Sequence, residues 1–145
     1  MYKIVKKRKL NYLITQMEIE APLVARKTQA GQFTILRLDE FGERFPLTIC
    51  GYDREKGTIT IVFQHAGKST LMLSEMEEGD FLSDVVGPLG NPTKLEGLKC
   101  VALVGGGVGC ADTLPIAEEL HKAGAEVDMF AGFRNKDIVI LEDEM

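Results

Sequence analysis

The stretch from Lys99 to Pro115, KCVALVGGGVGCADTLP, constrains this chain more than any other. Its apolar run Val101-Ala102-Leu103-Val104 reads as a buried strand. Gly105, Gly106 and Gly107 follow, then Val108 and Gly109. Beyond them Leu114, Ala117 and Leu120 fall on one helical face, with Glu118, Glu119 and Lys122 facing out. Gly124 ends the helix, and Glu126 to Ala131 reads as the next strand. A strand that breaks into glycines and restarts as a helix suits a phosphate. Glycine lets the backbone turn tightly and come close to a ligand. The helix start adds unpaired N–H groups and the positive end of its dipole. The stretch therefore reads as a βαβ unit of the dinucleotide-binding kind.

The usual fingerprint places glycines at its first, third and sixth positions. Gly105, Gly107 and Cys110 stand there, so the third glycine is missing. The fingerprint also expects an acid after the second strand to hold a ribose hydroxyl. This chain has Gly132-Phe133-Arg134 instead, and an arginine suits a ribose phosphate better than a free diol. The plainer alternative is a strand–helix turn that binds nothing. Cys110, at the helix start, is either a thiol of lowered pKa or a small residue fitted to a tight turn.

A length of 145 residues suits one domain or two small ones, and 45% apolar residues suffice for a core. The net charge of −5 argues against nucleic acid as the main partner. The basic cluster Lys6-Lys7-Arg8-Lys9 lies in a strand-like run and reads as a solvated edge. No apolar run reaches membrane-spanning length, and no apolar stretch of a signal peptide follows Lys3, Lys6 and Lys7. Three scattered cysteines fit reduced thiols in a cytoplasm. His65 and His121 lack a metal-binding pattern, and His121 is expected on the wet face of its helix.

Before the glycines, the chain reads as short strands with regular turn signals. Tyr2–Leu10 and Tyr12–Glu20 are strand-like, and Thr15, Met17 and Ile19 share one side. Pro22 to Ala30 reads as a loop, Gln32–Leu38 as a third strand, and Phe45–Gly51 as a segment interrupted by Pro46. Asp53-Arg54-Glu55-Lys56-Gly57 is a charged hairpin turn before the alternating strand Thr58–Gln64. Ser69–Met76 reads as a helix, and Phe81–Val86 as a last strand ending at Gly87-Pro88-Leu89-Gly90. This pattern predicts an all-β antiparallel barrel over residues 1–96. An incomplete α/β nucleotide-binding domain of the Rossmann-like kind follows over 97–145.

Two further stretches could grip anions. Arg44-Phe45-Pro46-Leu47-Thr48 combines a donor fork for a pyrophosphate with a hydroxyl for a ring nitrogen. Alone it could equally be a plain strand edge. Gly67-Lys68-Ser69-Thr70 stands directly before a helix, where Ser69 or Thr70 could simply be the N-cap.

Taken together, Arg44 to Thr48, Gly67 to Thr70, Gly87-Pro88-Leu89-Gly90 and Gly105 to Gly109 resemble the ferredoxin–NADP reductase superfamily, in the same order. The narrower likeness is to the small flavoprotein subunit of NADH-dependent ferredoxin–NADP oxidoreductase, or sulfide dehydrogenase. The electron-transfer subunit of dihydroorotate dehydrogenase is its close relative. The resemblance implies a Greek-key FAD-binding barrel followed by a nucleotide-binding domain. It implies that Arg44 holds the FAD pyrophosphate, that Pro46, Leu47 and Thr48 line the isoalloxazine, and that Thr48 is nearest the reacting nitrogen. Ile61, Val62, Phe63 and Gln64 would lie near the adenosine, and Gly67, Lys68, Ser69 and Thr70 would bind phosphate. Gly105, Gly106, Gly107, Val108 and Gly109 would bind the pyrophosphate of NAD(P)H, with Arg134 near its ribose. Electrons would pass between NAD(P)H, FAD and an iron–sulfur partner such as ferredoxin or a larger flavin/iron–sulfur subunit. A flavin-binding or partner-docking module without nucleotide turnover is the reading from another class.

Two departures stand out. Asp112 occupies a position where the family has proline; an acid at a helix start suits the dipole but would repel a nearby pyrophosphate. Family members also run on for about as many residues again, and that part carries the cysteines of a two-iron two-sulfur cluster. Cys50, Cys100 and Cys110 lack cluster spacing, so no cluster is expected in this chain. The chain reads as a fragment ending in a helix that Asn135 or Asp137 could cap. Two parallel strands and one helix leave an open strand edge, expected to be covered by a second copy or by the barrel.

Overall fold

Thr58–Gln64, the most regular alternation in the sequence, is an interior strand of the largest sheet. The computed structural model describes residues 1–145. In chain order the elements are β1 (Tyr2–Lys9), β2 (Ile14–Glu20), α1 (Pro22–Lys27), β3 (Phe33–Arg37), β4 (Phe45–Thr48), β5 (Gly51–Asp53) and β6 (Thr58–Gln64). Next come α2 (Lys68–Glu75), β7 (Phe81–Leu82), β8 (Asp84–Leu89), β9 (Cys100–Gly106), α3 (Gly109–Lys122) and β10 (Glu126–Gly132).

The first eight strands form two antiparallel sheets, β5-β6-β2-β1-β7 and β4-β3-β8. No single ladder closes them into a cylinder. Instead the chain turns two corners between them. At the first, Ile49 N–H donates to Gln32 O (3.1 Å) in one sheet, and Cys50 N–H donates to Thr60 O (2.8 Å) in the other. At the second, Leu82 pairs with Tyr2, and Ser83 N–H then donates to Arg37 O (3.0 Å). Strands that switch sheets are how two sheets enclose one core. That core holds Ile4, Met17, Ile19, Leu36, Ile49, Ile59, Ile61, Phe63, Leu73 and Leu82, all fully buried. Each such side chain contributes roughly 1.5–3 kcal/mol relative to exposure.

The structure corrects several expectations. Pro22 to Ala30 is not all loop, since Pro22–Lys27 is a helix. Proline is at home in a first helical turn, Arg26 and Lys27 complement the dipole in the last one, and Val24 and Ala25 are buried. Phe81–Val86 is split by the Ser83 corner, and its second half runs on to Leu89. Pro46 sits inside β4, where its missing N–H is harmless because β4 is an edge strand. Asn135 does cap a helix, accepting from Asp137 N–H (3.0 Å), but only the short 3-10 turn Lys136–Ile138.

The βαβ unit forms, with β9 and β10 parallel and Val104 opposite Phe130. Val101–Val104 is not the buried strand expected, since Ala102 and Val104 are exposed. Glu119 faces the sheet body instead of solvent. Val127 and Met129 face α3 beside Leu114 and Ala117. The opposite face is bare: Val104 is 77% exposed and Phe130 57%. The β-sheet body does not cover it. That body packs on α3 instead, where Ile14, Cys50 and Val62 meet Ala111, Leu114, Ile140 and Leu141 in a second apolar cluster.

This arrangement buries Cys50 and Cys110 and leaves Cys100 exposed. A disulfide reagent should therefore titrate one of the three thiols in the folded protein and all three in denaturant. Labelling followed by peptide mapping checks that the first is Cys100.

Candidate functional site

The glycine turn between β9 and α3 divides its labour. A Cβ at Gly105 would lie 2.8 Å from Cys110 Cα and 3.1 Å from Cys110 Sγ. Gly105 is therefore needed for strand–helix packing. Cys110, at the fingerprint's third glycine position, is the buried small residue filling that contact. Gly106, Gly107 and Gly109 meet nothing within 4 Å, so their backbones are open. Gly107 also has φ +56°, a conformation that L side chains rarely adopt. Its N–H donates to Gly132 O at 2.8 Å, tying the turn to the end of β10.

That open backbone borders a cleft of about 630 Å³ between the βαβ unit and the sheet body. Leu13 and Gln64 form one wall, and Gly106, Gly107, Val108, Phe133 and Arg134 form the other. Gln64 is the one member of the 61–64 stretch that reaches it. Ile61 and Phe63 are buried in the main core and Val62 in the second cluster. Their side chains are committed to packing, which leaves the strand backbone as the surface they could offer.

Arg44 and the turn before α2, the other two stretches expected to grip anions, lie near each other but do not line a common hollow. Arg44, more than half exposed, reaches Asp84 Oδ2 at 3.3 Å, and Arg37 Nε approaches the same oxygen at 2.7 Å. The Arg37 contact is off the N–H axis, so it is a charge contact and not an aligned hydrogen bond. The turn before α2 lies close by, because Ser69 Oγ donates to Glu43 Oε1, one residue from Arg44. Thr70 is taken up by capping: its Oγ1 accepts from Ala66 and Gly67 N–H and donates to Gly67 O, each at 3.0 Å. Lys68 and Ser69 border a separate hollow of about 430 Å³ with Asp39, Phe41 and Glu43. Gly67 is open on its Cβ side. The charges and glycines present thus fit a pyrophosphate-bearing cofactor. Of the β4 residues, Pro46 is exposed, Thr48 is half-buried, and Leu47 packs against the core.

Between the two grips lies a contact that the sequence reading missed. Asp112, in the first turn of α3, does not line the cleft beside Gly107. Its carboxyl meets the sheet body, where the Cys50 thiol lies 3.7 Å from Oδ1 and 3.6 Å from Thr48 O and can donate its one proton to either. The expected repulsion of a pyrophosphate is therefore relieved by orientation. Burial raises the Asp112 pKa, against the pull of the nearby Cys50 thiol. Burial, and then the Asp112 charge, pushes the Cys50 thiol well above the usual range, so it stays protonated. Two turns on, Tyr52 OH donates to Glu119 Oε1 (3.2 Å), with Arg54 over the Tyr52 ring at 4.9 Å. The i, i+7 spacing of Asp112 and Glu119 places both on one face of α3, which was the available signal.

No protein-family model matches the chain. It is similar to an uncharacterized protein in the adh 3′ region of Clostridium beijerinckii, with 49% identity over all of this chain and 51% of that one. It is also similar to a dihydroorotate dehydrogenase B (NAD(+)) electron transfer subunit homolog of Thermotoga maritima, with 45% identity over 97% of this chain and 50% of that one. The electron transfer subunit of dihydroorotate dehydrogenase B from Streptococcus mutans is 35% identical over 98% of this chain and 56% of its own length. The chain thus spans about half the length of the curated relatives it matches. Among solved structures, one of NADH-dependent reduced ferredoxin–NADP oxidoreductase superposes with a TM-score of 0.96 at 41% identity, covering all of this chain and 53% of that one. Phthalate dioxygenase reductase superposes at 0.84 with 24% identity, over 99% and 46% of the two chains. The fold is ferredoxin-reductase-like.

Two outcomes follow from this geometry. Gly105→Ala should cost roughly 1–3 kcal/mol by overpacking, whereas Gly106→Ala should change stability by less than about 0.5 kcal/mol. Urea midpoints compare them. For Asp112 the folded pKa lies above the unfolded one. The stability of its neutral form is full below the unfolded pKa and is lost as pH rises through the folded value. Asp112→Asn should therefore gain on the parent protein as pH rises from about 4 to neutrality, as denaturation at a series of pH values measures.

Proposed function

We propose that the chain is the flavoprotein electron-transfer portion of an oxidoreductase, passing electrons between NAD(P)H, FAD and an iron–sulfur partner such as ferredoxin. The observation that carries this reading is the glycine turn at Gly106 and Gly107, whose backbone, open on the Cβ side, lines a cleft against Leu13 and Gln64 of the sheet body. The chain's likeness to an NADH-dependent ferredoxin–NADP oxidoreductase supports it. Residues 1–96 would hold FAD in a barrel-like body, and residues 97–145 would supply the first part of the nucleotide-binding domain.

In this reading Arg44, Lys68, Ser69 and the backbone of Gly67 hold the FAD pyrophosphate. Pro46, Leu47 and Thr48 line the ring, and Gly105 to Gly109 with Arg134 hold the nicotinamide nucleotide. Bound flavin supplies the chemistry, accepting hydride and releasing electrons singly. The chain's own side chains position the two nucleotides and need not act as acid or base in hydride transfer. The electron-transfer subunit of dihydroorotate dehydrogenase is a second reading, favoured by the 45% and 35% identities to subunits of that name. A larger flavin or iron–sulfur subunit is the proposed partner. The bare face around Val104 and Phe130 is a proposed contact for that partner or for a second copy.

Purified protein should take up FAD and turn yellow, and anaerobic NADH or NADPH should bleach it. Arg44→Ala should weaken FAD binding about tenfold or more, from the loss of a charge-assisted contact of roughly 1.5–3 kcal/mol. Fluorescence titration with FAD measures this. A colourless protein that binds no FAD would sink both flavin readings, and a yellow protein that neither nucleotide bleaches would favour a docking module.

A further inference from the structure

We propose that the Tyr52–Glu119 contact is a latch on α3, and that its release rocks the β9–α3–β10 unit so that the cleft beside Gly107 narrows. The proposal concerns the cleft itself and does not depend on what occupies it.

Two hollows flank the seam between this unit and the sheet body. The cleft of about 630 Å³ lies at the start of α3, where Gly107 and Val108 face Leu13 and Gln64. A second hollow, of about 720 Å³, lies toward the other end of the helix. Its walls are Tyr52 and Arg54 of the body, Thr93 to Glu96 of the linker, and Glu119 of α3. Val108 and Glu119 stand about 16 Å apart along a helix axis. Between them, Ala111 and Leu114 rest on Ile14, Cys50 and Val62. A helix seated on apolar side chains, with open space at both ends, is a lever. Packed helices shift by about 1–2 Å across contacts of this kind.

The connections permit the motion. The linker is pinned to the body as far as Thr93. Gln32 Nε2 donates to Gly90 O (2.9 Å), and Thr93 N–H donates to Ala30 O (2.9 Å). Gly31 lets Thr93 lie directly against it, since a Cβ there would stand 2.1 Å from Thr93 Oγ1. Past Thr93 the hold ends. From Lys94 to Leu98 the one backbone hydrogen bond is Leu98 N–H to Leu95 O, at 3.4 Å. This segment is the hinge. The Asn11–Ile138 and Arg8–Glu144 contacts hold the stretch around Ile140 and Leu141, which belongs to the pivot cluster.

The latch itself is rigid on the body side. Arg54 stacks on the Tyr52 ring at 4.9 Å, and its Nη2 donates to Thr28 O at 2.8 Å. The ring is thereby held while its hydroxyl donates to Glu119 Oε1 at 3.2 Å. No other hydrogen bond or ion pair joins the body to α3 beyond Leu114. With the bond made, the cleft keeps its observed width. With the bond broken, the end of α3 lifts from β5 and its start tips toward Leu13 and Gln64. The second hollow widens as the cleft narrows, so the cleft is controlled from the far end of the helix.

The test needs no cofactor. In a Cys100→Ser background the two remaining cysteines are buried, so nitroxide labels go to introduced thiols. Tyr12→Cys with Arg134→Cys spans the cleft, and Gln29→Cys with Glu118→Cys spans the second hollow; all four positions are exposed. Dipolar electron paramagnetic resonance reads both distances. Tyr52→Phe keeps the ring and removes the hydroxyl. It should raise the population of a second setting about fivefold, as loss of one hydrogen bond allows. In that setting the cleft pair is shorter and the other pair longer, each by about 1–2 Å. Glu119→Ala should do the same, whereas Glu119→Gln, which still offers an acceptor oxygen, should keep the parent distances. A merely structural contact predicts lower stability with both distances unmoved in Tyr52→Phe, and that result overturns the proposal. Two distances that change in the same direction overturn it as well. If Glu119→Ala fails to fold, Tyr52→Phe and Glu119→Gln decide.

Discussion

The packing of α3 against the antiparallel sheets is the contact on which the rest of the molecule depends. Ala111 and Leu114 on the helix close over Ile14, Cys50 and Val62, and Ile140 and Leu141 seal the same cluster. Without it the β9–α3–β10 unit would be attached only through the linker after β8 and a few polar ties such as Arg8–Glu144 and Asn11–Ile138. With it, the glycine turn is fixed against the wall formed by Leu13 and Gln64. The cleft is therefore a product of this seam, since neither half of the chain has one alone. The polar ties from Cys50 to Asp112 and from Tyr52 to Glu119 lie along the same helix face. They set rotation and register, while apolar area supplies most of the adhesion.

In the proposed reading, a chain of net charge −5 would bind an anionic nucleotide by local arrangement and not by its overall field. Two arrangements would supply the attraction. At one end the attraction comes from bare backbone, which carries no cost of burying a cation. At the other it comes from Arg44, which is neither free nor buried: Asp84 holds it at 3.3 Å while sharing its charge with Arg37. Exposed ion pairs of this kind contribute little to stability. Their effect is to aim the guanidinium. The Glu43–Ser69 contact likewise keeps the Arg44 loop beside the start of α2.

The βαβ unit was legible almost to the residue because its signals are local: an apolar run, glycines, a helical period and a second apolar run. The alternation of β6 was legible for the same reason. The α1 helix was hidden because Pro22 was read as a breaker, although proline in a first turn is no obstacle. The split at Ser83 was hidden because a corner is defined by two different partners, Tyr2 beside Leu82 and Arg37 beside Ser83, both distant in sequence. Asp112 was noticed in the sequence for the wrong contact. Helix position set its place near the glycine turn, but its rotation depends on packing against Cys50, which no local pattern encodes. For Ile61, Val62 and Phe63, strand alternation gives the core as the place of the side chains, and burial agrees.

The bare face of β9–β10 closes the physical account. Parallel strands occur almost wholly with both faces covered, because each strand is apolar on both sides. Here α3 covers one face, and the other presents Val104 and Phe130 in register to solvent. Covering those two side chains would contribute roughly 1.5–3 kcal/mol each. That is comparable to the whole effect of many single mutations. The rim of this face carries Glu126 and Asp128, so the apolar pair sits within negative charge. A cover that matches it must bring apolar surface at its centre and basic or uncharged groups around it. A second copy presenting the same face would set those acids against each other, so it must be offset along the strands to be stable. A partner with lysines or arginines at the corresponding rim meets no such restriction, and on charge alone it is the better fit.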